Sequence, residues 1–563
     1  MKAEDQQLFR QRRYSAKAET ASIPEVAPEI ACSGFRHKRG SVGEHDVNTA
    51  PDSTQFHSHL IGAPNAKPGP VQTSPTPAAN QDTRPLPSVR TFDVFDTLIA
   101  RRCVEPAHIF EIIGKRAGLS SFAMARKQAE AKVAQRPYNL DMIYQELAVT
   151  LQLDPLQASA LKALEIDVEL EQVIPIAENM ARLRHGDVLI SDMYLGPDII
   201  RRLLDKAGLD KKVSLIVTSD GKRSGAIWPQ AQANLAIEEH LGDNVHSDVE
   251  MPRRFSIPHR HTTVFGLNPV ESVLMQIGLR QLAELCRETR LSTWATDPRS
   301  RAVQVIQASL NFPIMLLASV ALARLATHLD KRSILFSSRD CDSWMPLFEK
   351  VSQRLGFNCH ATYFYTSRLA KMQPSVSYTA YAKSLFSDDA LIVDLCGTGW
   401  SLANFAASLG LRNLPVFFLH KLPTAPAYEA MAATPQTCQF HTIISPTETG
   451  VENTVLEMSN YATHGMVEDV RMLQDFAIPV FARDHRSTET LSIVQAQQDC
   501  FATAVRLMEK YDLHDVFALD DASLVAVSTA LYGMLTQQTE LRSIYGSSHT
   551  TEETDVRRAL GCA

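Results

Sequence analysis

Four short stretches of the chain hold side chains able to act together on an anionic group. Asp93-Val94-Phe95-Asp96-Thr97 puts carboxylates and a hydroxyl directly after an apolar run. Ser191-Asp192 follows Val188-Leu189-Ile190, Lys222 stands just before Ser224-Gly225, and Gly242-Asp243-Asn244-Val245-His246-Ser247-Asp248 adds two more carboxylates. A carboxylate such as Asp93 can accept a phosphoryl group and split one hard transfer into two easier steps. It cannot approach an anionic phosphate unaided. Mg2+ held by Asp93 and Asp243, with Asp248 nearby, would supply hard oxygen coordination and neutralise the charge. Lys222 would add a point charge, and Ser191 a hydrogen bond to a phosphoryl oxygen. Taken singly, each stretch has a plainer reading: an aspartate at a strand end usually serves a turn or a helix cap, and a lysine is usually solvated.

A second set lies further on. Leu391-Ile392-Val393-Asp394-Leu395-Cys396-Gly397-Thr398-Gly399-Trp400-Ser401 reads as a buried strand, an acid, a Gly-Thr-Gly turn and a helix start. Glycines there let backbone amides approach a phosphate, which a helix N-terminus favours. The turn, with Gly397, Thr398, Gly399 and Ser401, looks like a shortened phosphoribosyltransferase diphosphate loop in which Leu395 replaces the second acid. A tight strand-to-helix turn without ligand explains it equally well. Ser338-Arg339-Asp340-Cys341-Asp342 ends another strand of this unit. Arg339 and Asp340 could join Asp394 around a nucleotide such as ATP and a metal, while Asp342 could cap its helix. The usual nucleotide signatures are lacking: there is no G-x-G-x-x-G, no Walker loop, and neither HRD nor DFG.

The elements that must position these residues follow from hydrophobic period. A strand begins at Thr91, and helical patterns run from Glu105 to about Leu183. Residues 187 to 190 read as a buried strand, with a helix from about Pro197. A further strand is expected at 213 to 218, then a helix through about Leu241. The pattern from 269 to 329 is helical. A second alternation follows, with strands at 333 to 338, 361 to 365, 391 to 395 and 415 to 420, and helices again from about 491 to 545. Strands alternating with helices imply parallel sheets covered on both faces, with ligands at the carboxyl ends of the strands. The fold class is therefore α/β, with a second α/β unit and helical segments. The expected organisation is a tail at 1–88, a first domain at 89–268, a helical connector at 269–330, a second α/β domain at 331–545 and a C-terminal tail at 546–563.

Composition narrows the function classes. With 563 residues the chain is too long for one compact core, and 45% hydrophobic with 21% charged residues is ordinary for a globular protein. A formal net charge of −7 argues against a general nucleic-acid binder. Nine cysteines without a Cys-x-x-Cys pair read as reduced thiols rather than a zinc or redox motif. Residues 1 to 88 hold ten of the 29 prolines and only four aromatics, a composition expected to be disordered. The N-terminus lacks the apolar core of a Sec signal and a glycine for myristoylation. The apolar run 312 to 322 is too short to span a bilayer and reads as a buried helix.

The order of the first four stretches resembles the haloacid dehalogenase (HAD) superfamily. That resemblance covers about a third of the chain. It implies a Rossmann-like parallel sheet with Asp93 as nucleophile, Asp93, Asp243 and Asp248 around Mg2+, and a helical cap at about 104–175 that excludes water and selects substrate. One departure stands out. Phosphatases of this superfamily carry a second aspartate two residues after the nucleophile, as general acid, and here that residue is Phe95. Asp96 should face the other way if the strand continues. Lacking the acid, hydrolysis should slow by roughly 10²- to 10⁴-fold. The whole chain further resembles the XopC class of type III effectors of plant-pathogenic bacteria. This implies a tail that directs secretion into the host cytoplasm, and an atypical protein kinase acting on a host protein such as an adaptor of a cullin-type ubiquitin ligase. Two other readings stay open: a phosphatase acting on a small phosphorylated metabolite, and a catalytically idle interaction protein.

Overall fold

The computed structural model describes residues 86–135, 137–423, 437–444, 453–474 and 476–561. The expected disordered and secretion tail, but for its last three residues, lies outside the described residues. Five strands build the first sheet: β1 (Ser88–Phe92), β4 (Val188–Asp192), β5 (Ser214–Thr218), β6 (Ala236–Gly242) and β7 (His259–His261). They run parallel in the order β5-β4-β1-β6-β7. Period-two alternation covers both faces. Phe92, Leu189 and Leu241 pack on one side with Ile200, Leu203 and Leu204, while Val188 and Ile190 pack on the other with Trp228 and Met251.

Between β2 (Ile99–Arg101) and β3 (Val173–Pro175), which pair as an antiparallel ribbon, the chain folds four helices. These are His108–Ala117, Phe122–Val133, Leu140–Leu151 and Pro155–Gln172. Asp154 opens the last of them with a capping box and Pro155 at its first turn, which satisfies otherwise unpaired amides. Inside this bundle Arg126 and Glu165 are fully buried and paired at 2.7 Å. The ribbon itself is clamped to the rest of the chain. Arg287 Nη1 donates to the Arg101 carbonyl at 2.8 Å, and Arg102 Nε donates to Glu288 at 2.9 Å. Glu288 also accepts from Lys510 at 2.8 Å and from the Tyr511 hydroxyl at 2.7 Å.

One expectation fails in the first sheet. The helix predicted through Leu241 ends with the short helix Ile227–Gln232, and 236–242 is a central strand. Ala-Ile-Glu-Glu-His-Leu favours a helix by propensity, but pairing with β1 and β7 on both edges overrides it.

The second sheet is formed by β8 (Ser333–Ser337), β9 (His360–Phe364), β10 (Ala390–Gly397), β11 (Leu414–Lys421) and β12 (Cys438–Ile444). All are parallel, in the order β12-β11-β10-β8-β9. Leu391, Val393 and Leu395 face a large helical core, and Ile392 faces Phe405 and Tyr378 on the other side. The stretch expected as a connector belongs to that core. Helices Pro269–Gln276, Arg280–Ser292, Pro298–Ile306 and Phe312–His328 share one apolar core with Ile334, Phe336 and Leu391. Leu86–Ala563 accordingly form one compact unit. Helical structure is continuous over Pro298–His328, long and apolar enough by composition to cross a membrane. Yet 89% of its most apolar window is buried within the protein, as for a core helix apolar on every side. No membrane span is shown. An antiparallel hairpin, β13 (Val467–Leu473) with β14 (Phe476–Phe481), precedes helices Thr488–Leu507, Asp521–Leu535 and Thr539–Ala559. The last of these replaces most of the expected C-terminal tail. Tyr545 and Val556 anchor it by burial.

Candidate functional site

In each sheet the strand order reverses direction at one point, and there the loops leaving adjacent strands part to open a crevice. In the first sheet this point lies between β1 and β6, and it brings together the acidic stretches. The Asp93 amide donates to the Leu241 carbonyl at 2.8 Å, which fixes the residue after β1 beside the end of β6. One oxygen from each of Asp93, Asp243 and Asp248 lies within 4.8 Å of the others, so the three could hold a metal ion. Among the described residues this is the group of three or more such ligands that the structure forms.

Lys222 sits at its centre, 3% exposed. Its ammonium donates to Asp93 and, at 2.7 Å, to Asp248. The loop carrying it is held from behind by Asp192, whose carboxylate accepts from the amides of Lys222 and Arg223 at 3.0 Å and from the Thr218 hydroxyl. Ser191 is buried at the end of β4, the strand adjacent to β1. Thr97 is buried too, and its hydroxyl lies 3.4 Å from Asp243. Asp248 folds back over Gly242: a Cβ there would lie 2.3 Å from the Asp248 carboxyl carbon, so only glycine leaves room.

His240, fully buried in β6, completes the support. Its Nε2 lies 3.1 Å from Asp248 and its Nδ1 2.8 Å from the Thr91 hydroxyl. Burial pushes this imidazole below its ordinary value, and Nε2–H donates to Asp248 because a carboxylate only accepts. The sequence motif contains Asp192, yet its supporting role depends on a loop 30 residues away. His240 carries no sequence signal beyond its place two residues before Gly-Asp.

Burial pushes the Asp93 carboxyl up to about 6, Lys222 opposing and Asp248 adding to the effect. Burial pushes Asp243 up further, to about 8, with the charges of Asp93, Asp96 and Asp248 behind it. Burial would also raise Asp248, but Lys222 and His240 outweigh it and hold this carboxyl below its usual range. Lys222 is held above its ordinary value despite burial, by Asp93 and Asp248. Three carboxylates thus share one ammonium, and Asp243 is the least compensated. Hard oxygens and an excess of negative charge suit a divalent cation.

The Phe95 ring lies under the Arg101 guanidinium, 4.8 Å from the centroid. The premise placing Asp96 on an opposite strand face fails, because β1 ends at Phe92 and Asp96 takes a left-handed turn conformation at φ 55°. Burial raises its carboxyl, against the pull of Arg101 and Arg287.

In the second sheet the reversal falls between β8 and β10, and a cleft of about 710 Å3 opens there. Arg339, Asp340, Asp394, Gly397, Thr398, Gly399 and Ser401 all line it, and none of the first cluster does. Gly399 has φ 76°, and a Cβ there would lie 2.5 Å from the Phe440 ring. The following helix, Trp400–Ser408, points its N-terminus at the cleft, and Thr398 Oγ1 accepts from the Trp400 amide at 3.2 Å. Burial raises Asp340 to about 7 and raises Asp394 as well. Leu395, standing where a second acid was sought, is buried in the core. Asp342 does not cap the following helix; its carboxylate accepts from Gln498 at 2.8 Å. Lys371, Glu457, Glu552 and Glu553 also line this cleft, and sequence reading found none of them.

The seven cysteines among the described residues are free, and burial pushes Cys341 and Cys396 well above the ordinary thiol value. Neither suits a nucleophile. No family model and no curated protein matches this chain.

Proposed function

We propose that the chain is a Mg2+-dependent phosphoryl-transfer enzyme with Asp93 as nucleophile, in keeping with its resemblance to the HAD superfamily. The carrying observation is the buried Lys222 ammonium bridging Asp93 and Asp248, with Asp243 within reach of both. An Asp93 oxygen attacks phosphorus, the bond from phosphorus to the leaving oxygen breaks, and an aspartyl-phosphate remains. Lys222 offsets charge on the transferred group, and the Ser191 hydroxyl donates to one of its oxygens. Asp93, Asp243 and Asp248 would hold Mg2+, which supplies Lewis-acid stabilisation when bound.

Phe95 bears on the donor. An alkyl phosphate needs a proton delivered to its departing oxygen, and no acid stands at that position. A phosphoanhydride such as ATP releases a stabilised anion that leaves without one. This favours ATP as donor; with a protein hydroxyl as the acceptor, it gives the atypical-kinase reading. In that reading the protein acts inside a host cell after type III secretion. Its substrate is a host protein, with an adaptor subunit of a cullin-type ubiquitin ligase as the candidate class.

The test incubates full-length protein with Mg2+ and γ-labelled ATP, and in parallel with a generic phosphate ester. Label on protein, lost in Asp93→Ala, supports the kinase. Free phosphate from the ester, also lost in Asp93→Ala, supports a phosphatase. Silence in both would leave an interaction protein. Fusing residues 1–88 to a reporter and measuring injection tests the secretion role.

A second reading rests on a separate observation, the large cleft between β8 and β10. We infer that it takes a phosphate-bearing small molecule such as a nucleotide, with the Gly397–Gly399 turn and the helix N-terminus facing the anion. Asp394→Ala distinguishes the units: if it abolishes labelling while Asp93→Ala does not, the chemistry belongs to the second sheet.

A further inference from the structure

The second cleft is lined by four cations, Arg339, Arg368, Lys371 and the exposed Arg557, and the first three are treated differently. Arg339 is forked by Glu552, with Nη1 and Nη2 each donating to one carboxylate oxygen at 2.8 Å. Its guanidinium also stacks over Tyr461, 4.9 Å from the ring centroid. Arg368 donates to Glu553 at 3.1 Å. Both acids come from the last helix, Thr539–Ala559, which also places His549, Val556 and Arg557 on the cleft wall. The third cation, Lys371, is only 8% exposed; among the described residues no carboxylate forms a contact ion pair with it, though the charges of Asp394 and Asp340 act on it from further off.

That division is physically informative. A planar carboxylate bound through two parallel hydrogen bonds to a guanidinium is the geometry in which arginine also holds a phosphate. A buried ammonium without a contact ion pair is costly, and burial depresses Lys371 below its ordinary value although the charges of Asp394 and Asp340 oppose it. The last helix thus supplies a contact anion to Arg339 and to Arg368 and none to the buried Lys371, whose ammonium, among the described residues, is left free of a contact pair beside the cleft.

We propose that Lys371 is the primary anion-binding residue of this cleft, and that the last helix carries a built-in competitor, Glu552, which a phosphate- or diphosphate-bearing ligand displaces from Arg339. The proposal rests on the reading of the cleft as a phosphate site and adds how that site is regulated. In the resting state Glu552 keeps Arg339 occupied and the helix seated. A ligand first neutralises Lys371. Its second anionic group then takes the Arg339 fork, and residues near the end of the helix lose their anchor. Glu553 contributes little, because the Arg368 side chain is half exposed and its pair is screened by water.

The experiment uses the full chain and inorganic pyrophosphate as probe, followed by calorimetry. Wild type should bind, Lys371→Met should lose binding, and Glu552→Gln should bind roughly tenfold tighter, as expected when a charge-assisted competitor is removed. Amide hydrogen exchange in 546–559 of wild type should accelerate on adding pyrophosphate. This second readout needs no variant and holds even if Glu552→Gln folds poorly. Binding that disappears in Lys371→Met, with unchanged affinity in Glu552→Gln and unchanged exchange in the helix, overturns the competitor while the phosphate site stands. No binding to wild type or to Glu552→Gln overturns the site itself. Binding that survives in Lys371→Met removes that lysine from its role.

Discussion

The two crevices are built on the same topological device and differ in how they are closed. In the first, every group that meets the cluster comes from four strand ends of one sheet, and the single ammonium is spent on two carboxylates. In the second, Arg339 meets a partner 213 residues away, and the cavity is large enough for an organic ligand. A site closed by its own sheet is pre-organised for something small and charged, as the proposed cation and phosphoryl group would be. A site closed by a distant helix can be opened, and so suits binding that is exchanged or controlled.

The sharpest way to break this contrast is to remove the nucleophile. Asp93→Asn should lower phosphoryl transfer by about 10⁴-fold or more, while Asp394→Asn leaves aspartyl-phosphate formation measurable. Rapid-quench labelling with γ-labelled ATP checks both, and equal losses would mean that the two crevices act as one site. Next in size is Lys222→Met. It strands two buried carboxylates and should cost about 3–5 kcal/mol of stability, read from denaturant unfolding. A drop under 1 kcal/mol would show that the ammonium is not the keystone of the cluster.

The third test is pH with and without Mg2+. The Asp93 and Asp243 carboxyls are raised, to about 6 and about 8, from an ordinary value near 4. Between those limits the folded protein holds protons that the unfolded chain has released, so this contribution to stability is present at low pH and lost as pH rises toward 8. Mg2+ binds the deprotonated ligands and should reverse the trend, raising stability more at pH 8 than at pH 5.5, by about 2.7 kcal/mol at a hundred times Kd. Thermal melts on EDTA-treated protein measure it, and a Mg2+ effect that is flat with pH would contradict the assignment. The smallest expected effects come from two glycines. Gly242→Ala should push Asp248 aside at a cost of about 1–3 kcal/mol and weaken Mg2+ binding. Gly399→Ala, strained at φ 76° and against Phe440, should cost a similar amount and spare Mg2+ binding.

What could be read beforehand follows the same divide. The first cluster was legible because chemistry and strand ends are adjacent in sequence: Ser191 follows Val188-Leu189-Ile190, Lys222 stands just past the strand at 213–218, Asp93 follows Thr91-Phe92, and Asp243 was marked by its Gly-Asp spacing to Asp248. Strands at 333–338, 361–365, 391–395 and 415–420 were legible for the same reason, since buried parallel strands are short and continuously apolar. β6 was not, because Glu238 and Glu239 lie in a segment whose propensity is helical and whose sheet pairing is non-local. Glu552 was invisible as well. It sits in a run of Ser, Thr and Glu that resembles a polar tail, and its meaning depends on Arg339. Lys371 has no motif; only its burial beside the cleft marks it.

The ribbon of β2 and β3, fastened through Arg101 and Arg102 to Arg287 and Glu288, limits how this molecule can be dissected. A fragment cut near residue 268 would strip the first sheet of the arginine that grips its ribbon, and would part Ile174 and Ile176 from Leu291, with which they pack. Neither half is then a miniature of the whole. Assigning chemistry to one half calls for point substitutions in the intact polypeptide, because a silent fragment would report its own collapse.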